Sequence, residues 1–425
     1  MEEIKLGILG MGTVATGLIN ILDMNGSKIT GNLNKKITVE KVLVKNKNKS
    51  RNSNLSADIY TTDAYEVIEN PDVQIIVELI GGINPAYEYI KAALKNKKNV
   101  VTANKALLAT YGDELEKLAD DNDVELMYEA SVGGGIPIIN TMSDYLSSNE
   151  INQIVGIING TTNYILTQMS ENGLEYEQAV KQAQDLGFAE ADPSSDVDGD
   201  DAAYKIAIMS TIAFGQRVNI NDIPKEGIKR ISKEDISYAK ELGYEIKLLA
   251  SAVKNGNEVE LRVHPAFIPH DHPLSTVKNE FNAVFLKGNA IGELMLYGKG
   301  AGSLPTGSAV LGDIMSIIKR NNTERRSPKK LSSNIVVNRA CKPYYIRFEV
   351  IDKPGVLGRI AEIFGKNGIS LASVVQRQKN GDSTAPLIFI THKTERKNID
   401  AALEEISNYD CVTKIASIML VENFK

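Results

Sequence analysis

Residues 1–130 alternate short apolar runs with longer stretches of helical periodicity, and this alternation allows few folds. The apolar runs predict strands, and the stretches between them predict helices. The predicted strands are Ile4–Leu9, Ile37–Val44, Val73–Ile80, Asn99–Thr102 and Val124–Tyr128, and the predicted helices include Pro85–Lys95 and Lys105–Asp121. Strands that alternate with helices in this way favour an α/β fold, in which helices cover both faces of a parallel sheet.

A glycine-rich loop, ILGMGTVATG, follows the first strand and begins a helix. Gly10 permits a tight turn, Gly12 allows the backbone to approach a pyrophosphate, and Ala15 occupies the place of the usual third glycine. The first helical residues, Thr13 and Val14, would present free N–H groups and the positive end of the helix dipole to phosphates. The loop therefore predicts a Rossmann-type dinucleotide site.

The end of the second strand indicates which dinucleotide binds. Sites for NAD usually carry an acidic residue there, which bonds the ribose hydroxyls. Here the chain reads VLVKNKNKSR, with Lys45, Lys47, Lys49 and Arg51 and no acid. We predict a preference for NADP, with Lys45 near the 2′-phosphate, while NAD stays possible. The later lysines also fit a solvated basic loop.

The middle of the chain is predicted to contain helices followed by strands. The predicted helices are Pro137–Leu146, Thr161–Asn172, Leu174–Leu186 and Asp201–Phe214. Mostly antiparallel strands are expected between Glu245 and Tyr297. Two of these strands, Asn282–Leu286 and Ile291–Tyr297, are expected to be exposed. Because exposed strand edges are usually covered, they indicate a homodimer.

A polar, basic stretch at Asn321–Asn334 indicates a linker, and a ferredoxin-like βαββαβ pattern follows it. The predicted elements are Tyr344–Ile351, Val356–Gly365, Ile369–Arg377, Pro386–Thr391, Ile399–Ser407 and Val412–Val421. We therefore divide the chain into a nucleotide-binding domain (1–135), an α+β catalytic and dimerisation domain (136–320), a linker (321–342) and a ferredoxin-like module (343–425). The last segment of the second domain is expected to return to the nucleotide site.

Composition and charge argue against several classes of protein. The chain is 43% hydrophobic and 24% charged with a net charge of −6, so no nucleic-acid partner is expected. Even the apolar run VQIIVELIGGI is interrupted by Glu78, so no membrane partner is expected, and MEEIKLGILG lacks the layout of a signal peptide. Cys341 and Cys411 are far apart in sequence and are expected to be free thiols. We expect a cytoplasmic protein.

An acidic segment, EADPSSDVDGDD, precedes Lys205, and it has three possible interpretations. A calcium loop fails, because Asp201 stands where such a loop needs glycine and Ala207 where it needs glutamate. A solvated turn is favoured for Asp198 and Asp200. A catalytic pocket is favoured for Asp201 and Lys205, since residues four apart share one face of a helix.

The chemistry of the Asp201–Lys205 pair suggests a role. That helix is otherwise largely apolar (AIAIMSTIAFG), so we expect the pair at the rim of a buried region. Nearby carboxylates favour a protonated lysine, whereas burial opposes it. A protonated lysine can give its proton to a carbonyl oxygen, and carboxylates can hold a substrate ammonium. The pattern is therefore suited to reducing an aldehyde carried on an amino acid.

The run Ala183–Lys205, AQDLGFAEADPSSDVDGDDAAYK, resembles the signature of homoserine dehydrogenases. Further matches are GMGTVATG, VVTANKALL, YEASVGGGIPII, INGTTNYIL and GKGAGSLPTGSAVLGDI, so the resemblance covers residues 1–320. The segment YYIRFEVIDKPGVLGRIAEIFGKNGISL resembles an ACT domain. The resemblance implies NAD(P)H-dependent, reversible reduction of L-aspartate 4-semialdehyde to L-homoserine, in threonine and methionine biosynthesis.

The resemblance also implies roles for individual residues. Lys205 would donate the proton, and Lys105 would contact both cofactor and substrate as a second catalytic residue that could share the proton transfer. Asp201 would bind the substrate and position Lys205, and Glu190 would take the substrate α-ammonium group. Two glycines would lie against the cofactor, namely Gly187 and Gly302. Phe188 stands where some members have tyrosine, so a hydroxyl contact from that position is absent.

The family holds a monovalent cation, usually sodium, in the sequence EASVGGGI. The matching ligands here are the side chain of Glu129 and the main-chain carbonyls of Val132, Gly134 and Ile136. An ordinary hydrogen-bonded role for Glu129 is the alternative.

Two other functions are alternatives to homoserine dehydrogenase activity. An aspartate-semialdehyde dehydrogenase needs a cysteine nucleophile, and Cys341 and Cys411 lie outside the first two domains. A catalytically silent, amino-acid-sensing binding protein is the second alternative, and the presence of both Lys105 and Lys205 argues against it.

The ACT-like module has a DKPGVL turn at Asp352–Leu357. Such turns often bind an amino acid in the family, and threonine is the expected effector. Alternatively, the module only adds sheet edges for assembly. A homodimer and a homotetramer both stay open.

Overall fold

A computed structural model of the chain describes residues 1–51, 54–215, 218–320, 335–337, 341–376 and 384–424. These residues form two compact units, each built from three stretches of the chain. The first unit contains Met1–Ile154, Ala203–Ile223 and the described residues from Phe281 to Arg320. The second contains Val155–Ala202, Pro224–Glu280 and the described residues from Ile335 to Phe424. The predicted linker at 321–334 lies outside the described residues, and the domain boundaries stay a prediction.

Strands and helices alternate up to Met127, as predicted. They are β1 (Glu2–Leu9), α1 (Thr13–Leu33), β2 (Lys35–Leu43), β3 (Tyr60–Thr61), α2 (Tyr65–Ile68), β4 (Ile75–Glu78), α3 (Ala86–Lys95), β5 (Asn99–Thr102), α4 (Lys105–Asp121) and β6 (Leu126–Met127). The strands form one sheet in the order β3-β2-β1-β4-β5-β6, and every pair is parallel. The predicted parallel sheet is confirmed.

The middle of the chain contains helices and long antiparallel strands. They are α5 (Ile138–Asn140), β7 (Ile151–Ile157), α6 (Gly160–Asn172), α7 (Tyr176–Asp185), α8 (Ser194–Val197), α9 (Asp200–Phe214), α10 (Lys233–Glu241), β8 (Tyr244–Asn255), β9 (Glu258–Pro269), β10 (Phe281–Gly288), β11 (Gly292–Lys299) and α11 (Ser303–Arg320). The single helix predicted at Pro137–Leu146 is instead the short α5 followed by a π-helical segment, Thr141–Tyr145. The sequence did not predict β7, α10 or α11.

The last part of the chain has the predicted ferredoxin-like order. Its elements are β12 (Ile335–Val336), β13 (Cys341–Lys342), β14 (Tyr344–Ile351), α12 (Val356–Lys366), β15 (Leu371–Gln376), β16 (Thr384–Thr391), β17 (Thr394–Glu395), α13 (Arg396–Ser407) and β18 (Val412–Val421). The main strands are antiparallel in the order β18-β14-β16-β15. Arg377, the predicted end of the second strand, lies outside the described residues. Within the described ranges, no helix is both long and apolar enough to cross a membrane.

The parallel sheet of the first unit has a hydrophobic core on each face. Along β1, Leu6 and Ile8 point into the core that also contains residues of α1 and α11. Leu9 points to the opposite core, which contains residues of α2, α3 and α4. Successive side chains of a strand point to opposite faces, so these apolar strands are buried on both sides. This burial fixes the carboxyl ends of β1, β4 and β5 beside one another.

Two glycines bring α1 and α11 into close contact. A Cβ atom on Gly17 would overlap the main chain of Ser303, and a Cβ atom on Gly307 would lie 2.6 Å from the main-chain nitrogen of Leu18. Ser303 Oγ also donates a hydrogen bond to the carbonyl oxygen of Thr13 at 2.9 Å. The start of the glycine-loop helix is therefore attached to residues almost three hundred positions later in the chain.

The predicted exposure of Asn282–Leu286 is wrong. This segment lies in β10, where Asn282 is 1% exposed and Leu286 is completely buried. It is apolar on both faces, which is typical of a strand inside a sheet. The second segment lies largely in β11, at the end of its sheet, and Tyr297 there is 53% exposed.

Within the second unit, the ferredoxin-like module continues the sheet of β8 and β9. Strand β18 pairs in parallel with β9 at Leu420 and Val421. A buried ion pair reinforces this junction, since Arg347 Nε donates to Asp235 Oδ1 at 2.8 Å. The hydroxyl of Tyr345 donates to the same oxygen at 3.0 Å.

Glu422 forms a second buried ionic cluster just beyond β18. Both of its carboxylate oxygens lie 2.6 Å from Lys342 Nζ, and Oε1 lies 3.2 Å from His264 Nε2. Burial by itself would raise the pKa of Glu422, but the Lys342 ammonium and the bond to His264 outweigh it and lower this pKa to about 2. Burial lowers the pKa of His264.

Glu422 should make folding stability depend on acid. Its folded pKa of about 2 lies below the ordinary value of 4.5, so its contribution is complete above pH 4.5 and is lost as the pH falls toward 2. The shift corresponds to about 3 kcal/mol over the whole window. We expect Glu422→Gln to reduce the loss of unfolding free energy between neutral pH and about pH 3, measured by urea denaturation. The lowered pKa of His264 makes the unfolding free energy decrease in acid in both the unchanged protein and Glu422→Gln. If the unfolding free energy of the two proteins fell equally with pH, the prediction would be contradicted.

Candidate active site

The glycine loop after β1 leaves room for a ligand at the carboxyl end of the sheet. Gly10 has a φ of +102°, and a Cβ atom there would lie 2.9 Å from the carbonyl oxygen of Leu79, so glycine is required. A Cβ atom on Gly12 would meet nothing within 4 Å. Thr13 and Val14 begin α1, where the first N–H groups of a helix have no partner within it. An open backbone and free N–H groups fit a pyrophosphate.

The basic loop after β2 is ordered by Arg51. Its guanidinium donates to the carbonyl oxygens of Asn46 at 2.5 Å and Lys49 at 2.7 Å, and it lies 4.9 Å from the centre of the Tyr60 ring. Lys45 lies at the start of this loop and is exposed. Lys45 is therefore exposed at the end of β2, whereas Arg51 holds the loop itself.

Lys105 is the first residue of α4, directly after β5. The preceding residue, Asn104, caps the helix by accepting a hydrogen bond from the N–H of Leu107 at 3.2 Å. Its amide nitrogen donates to the carbonyl oxygen of Gly82 at 2.6 Å. This cap fixes the direction in which α4 leaves the sheet, and with it the backbone of Lys105.

Helices α4 and α9 meet within the first unit, where a cavity of about 20 Å³ is lined by residues from both of them. Leu108 of α4 lies three residues after Lys105, and Ala207 of α9 lies two residues after Lys205; both line this cavity. Lys205 is 8% exposed. Lys105 and Lys205 therefore belong to two helices that line a common cavity within the first unit.

Asp201 and Lys205 lie on α9, one turn apart, and Asp201 is only 2% exposed. The amide nitrogen of Asn159 donates to Asp201 Oδ2 at 2.9 Å and to Asp196 Oδ1 at 2.7 Å. The amide oxygen of Asn159 accepts from the N–H of Thr162 at 2.8 Å and caps α6. Asn159 thus holds two carboxylates of the acidic segment together.

The other two aspartates that were assigned to a turn form ion pairs. Lys229 Nζ lies 2.7 Å from Asp198 Oδ2, and Lys225 pairs with Asp200. Both pairs are partly exposed, so each is expected to contribute little to stability. They bring the segment after Ile223 against the acidic loop.

The loop that carries Glu190 is exposed. Gly187 has a φ of +77°, and a Cβ atom there would meet nothing within 4 Å. Thr161 Oγ1 donates to the carbonyl oxygen of Phe188 at 2.7 Å, and the Phe188 ring lies 4.9 Å from that of Tyr164. The main chain of Glu190 accepts a hydrogen bond from Gln184 at 3.2 Å, which leaves its carboxylate available to solvent.

The four predicted cation ligands lie in one buried loop of the first unit. Both carboxylate oxygens of Glu129 accept main-chain N–H bonds at 2.7 Å, from Ile139 and Asn140. The N–H of Glu129 itself donates to Asp313 Oδ2 at 2.8 Å. Val132, Gly134 and Ile136 are buried.

The buried loop touches a second glycine-rich loop, GKGAG. A Cβ atom on Gly134, whose φ is +54°, would overlap the carbonyl oxygen of Gly300. The N–H of Gly135 donates to the carbonyl oxygen of Lys299 at 3.0 Å. Gly302 has a φ of +120° and immediately precedes α11. Among the residues that the structure describes, no group of three or more His, Cys, Asp or Glu side chains is arranged to hold a metal ion.

Comparisons with known proteins agree with this arrangement. The sequence profile described as "Homoserine dehydrogenase" matches residues 137–315, and "Homoserine dehydrogenase, NAD binding domain" matches residues 10–129. The "ACT domain" profile matches residues 344–411. A homoserine dehydrogenase of Bacillus subtilis is 40% identical over 433 residues, which cover 99% of each chain.

Solved structures show the same likeness. The homoserine dehydrogenase of Thiobacillus denitrificans matches with a TM-score of 0.93 and 38% identity, over 99% of both chains. A hyperthermophilic archaeal homoserine dehydrogenase in complex with NADPH matches with a TM-score of 0.63 and 27% identity, over 77% of this chain and 99% of that one. The chain belongs to the homoserine dehydrogenase family.

Membership confirms the fold class and the oxidoreductase activity predicted from the sequence. A homoserine dehydrogenase interconverts L-aspartate 4-semialdehyde and L-homoserine with a nicotinamide cofactor. The alternative of a catalytically silent amino-acid-sensing protein finds no support, since matches extend over both the cofactor and the catalytic regions.

Sequence reasoning missed Asn159 and Asp313. The first lies in INGTTNYIL, which served only as a family match, and the second lies in GKGAGSLPTGSAVLGDI. Both act on residues far away in sequence, Asp201 and Glu129. An Asn at a helix start does signal a cap, but its second partner is set by the tertiary fold.

Asn159→Ser tests the two hydrogen bonds by which Asn159 holds Asp196 and Asp201 together. Serine keeps a good capping oxygen for α6 but removes the amide that donates to Asp196 and Asp201. A hydrogen bond to a charged group contributes about 1.5–3 kcal/mol, so we expect kcat/KM for L-aspartate 4-semialdehyde to fall by at least about tenfold. Steady-state kinetics with a thermal melt as the control would check it. An unchanged kcat/KM in a folded variant would show that the hydrogen bonds from Asn159 to Asp196 and Asp201 do not contribute to activity.

Proposed function

We propose that this homoserine dehydrogenase prefers NADPH and uses Lys205 as the proton donor to the substrate aldehyde. The observation that carries the proposal is the buried pair of Asp201 and Lys205, one turn apart on α9. The bound cofactor supplies the hydride. The protein supplies orientation, the proton and the charges that select the substrate.

Lys205 would be kept protonated by its neighbour. A carboxylate one turn away favours the charged form of an amine, and burial disfavours it. Asp201 is held in place through Asn159, so its charge stays at a fixed position on the helix. The Lys205 ammonium would give its proton to the aldehyde oxygen as that oxygen gains negative charge.

The remaining predicted site residues would bind the two ligands. Glu190 would take the α-ammonium group of the substrate, and its exposed position allows it to meet a ligand from solvent. Lys105 would contact both cofactor and substrate from the start of α4. Gly187 and Gly302, both with positive φ, would let the backbone lie close to the cofactor.

NADP preference is supported by the loop after β2. Lys45 is exposed there, and Arg51 is engaged within the loop. The archaeal relative described above was solved with NADPH. We propose that Lys45 bonds the 2′-phosphate.

A sodium ion is proposed at the EASVGGGI loop. A carboxylate and main-chain carbonyls are the hard oxygen ligands that such a cation takes, and Glu129, Val132 and Ile136 are almost fully buried. Each oxygen of Glu129 already accepts one N–H, and a carboxylate oxygen can accept more than one bond. The donor set therefore fits the ion.

The ACT domain is expected to bind an amino acid, and we propose threonine at the DKPGVL turn. Gly355 has a φ of +92° and is the N-cap of α12, and Asp352 accepts a hydrogen bond from Gln376 at 3.3 Å. Leu357 is 37% exposed. Threonine would lower the rate of NADPH oxidation. A homodimer or homotetramer and a cytoplasmic location stay predictions.

Lys205→Met tests the proton donor. Methionine keeps an apolar stem in the buried site but has no proton to give, and removing a general acid typically costs about 10²–10⁴-fold in rate. We expect a loss of kcat in this range, measured as NADPH absorbance after addition of L-aspartate 4-semialdehyde, with NADPH binding retained. Lys233→Met, at an exposed lysine on α10, is the control. Near-normal turnover by folded Lys205→Met would refute the assignment.

Lys45→Ala tests the cofactor preference. Losing a hydrogen bond to a charged phosphate should raise the KM for NADPH by about tenfold or more, while the KM for NADH stays unchanged. Lys47→Ala, two residues later and also exposed, is the matched control. If the unchanged protein uses NADH as well as NADPH, or if both variants behave alike, the proposed contact is wrong.

Sodium should stabilise the folded protein. A ligand that binds only the native state raises its stability with concentration. We expect the melting temperature to increase in sodium chloride relative to choline chloride of equal ionic strength, which screens surface charges to the same extent. Identical melting curves in the two salts would contradict the proposed site.

A further inference from the structure

Glu78 is a completely buried carboxylate at the carboxyl end of β4. It interrupts an apolar strand, so its burial requires compensating hydrogen bonds. Its Oε1 atom accepts from the N–H of Ile80 at 2.7 Å and of Gly81 at 3.2 Å. Its Oε2 atom accepts from Thr102 Oγ1 at 2.6 Å. All three donors are neutral groups.

Thr102 carries this interaction from β4 to the loop after β5. Its hydroxyl oxygen accepts a hydrogen bond from the N–H of Asn104 at 3.0 Å. Asn104 in turn caps α4 and bonds the carbonyl oxygen of Gly82. The loops after β4 and β5 are thus one hydrogen-bonded unit, and Lys105 is the residue that follows it.

The same unit touches the glycine loop after β1. A Cβ atom on Gly10 would meet the carbonyl group of Leu79 at 2.9 Å, and the N–H of Leu79 donates to the carbonyl oxygen of Leu9 at 2.8 Å. Because β1, β4 and β5 are adjacent and parallel, their carboxyl ends share one edge of the sheet. Glu78 therefore lies where the cofactor loop and the start of α4 meet.

We propose that Glu78 is a positioning residue that sets the placement of Lys105 through Thr102 and Asn104. The inference rests on the proposed contact of Lys105 with cofactor and substrate. The carboxylate connects the two loops, since Oε1 bonds the loop after β4 and Oε2 bonds Thr102, the last residue of β5. Loss of either link lets the cap at Asn104 move, and the backbone of Lys105 moves with it.

Thr102 offers a matched pair of variants. Thr102→Val removes the hydroxyl and leaves Glu78 and the N–H of Asn104 without this partner, whereas Thr102→Ser keeps the oxygen. A misplacement of about 1 Å can cost about 10²-fold in rate, so we expect kcat of Thr102→Val to fall by about that factor. Thr102→Ser should restore turnover. Glu78→Gln, which cannot accept all three bonds, should also lose kcat, while melting temperatures and NADPH affinity are followed in parallel.

A double-mutant cycle with Lys105→Ala separates positioning from a general loss of structure. If Thr102 acts through Lys105, adding Thr102→Val to Lys105→Ala should cause little further loss of kcat. The inference would be overturned if the double variant lost a further factor of about 10² in kcat relative to Lys105→Ala. Equal turnover by Thr102→Val and Thr102→Ser would also overturn it. If Lys105→Ala itself is fully active, the proposed role of Lys105 fails and the inference falls with it. If Lys105→Ala is impaired and Thr102→Val is not, the inference alone fails.

Discussion

Like charges in a low-dielectric site repel one another unless donors lie between them, and this constraint governs how the acidic segment is built. Asp196 and Asp201 share one amide nitrogen, that of Asn159, at 2.7 and 2.9 Å. A neutral donor allows the two carboxylates to approach without cancelling their charge. An arginine or lysine in that position would have neutralised part of this negative charge. The amide of Asn159 thus holds Asp196 and Asp201 together without itself neutralising either carboxylate.

The first unit solves the same problem with main-chain donors. Glu129 and Glu78 are buried carboxylates that accept N–H bonds from Ile139 and Asn140, and from Ile80 and Gly81. In both cases the N–H groups belong to a turn or to the beginning of a helix. The carboxylate thereby fixes the local backbone geometry. Within the first unit, these two buried acids therefore anchor the loops that surround them.

Local periodicity made the regular elements predictable, and long-range packing explains the failures. The helix at Lys105–Asp121 and the strands Tyr344–Ile351 and Val412–Val421 agree with the prediction to the residue, because each has strong periodicity and a clear boundary. The spacing of four residues on one predicted helix led to Asp201 and Lys205, and the family signature then implied their roles. The hydrogen bonds of Asn159 to Asp196 and Asp201 and the contact of α1 with α11 at Gly17 depend on tertiary packing. No local sequence pattern therefore predicted them. The strand at Asn282–Leu286 was expected to be exposed, but its run of apolar residues fits a strand covered on both faces.

The contact between α1 and α11 has a consequence for the modularity of the chain. The nucleotide-binding helix packs against Gly307 and Ser303, and Val310 and Ile314 complete its core. An amino-terminal fragment that ended before Ser303 would keep α1 but expose to water the apolar surface that α11 covers. The nucleotide-binding domain therefore cannot be replaced by that of a relative through exchange of a single continuous segment of the chain. Recombination that keeps the fold must carry both the first stretch of the chain and α11.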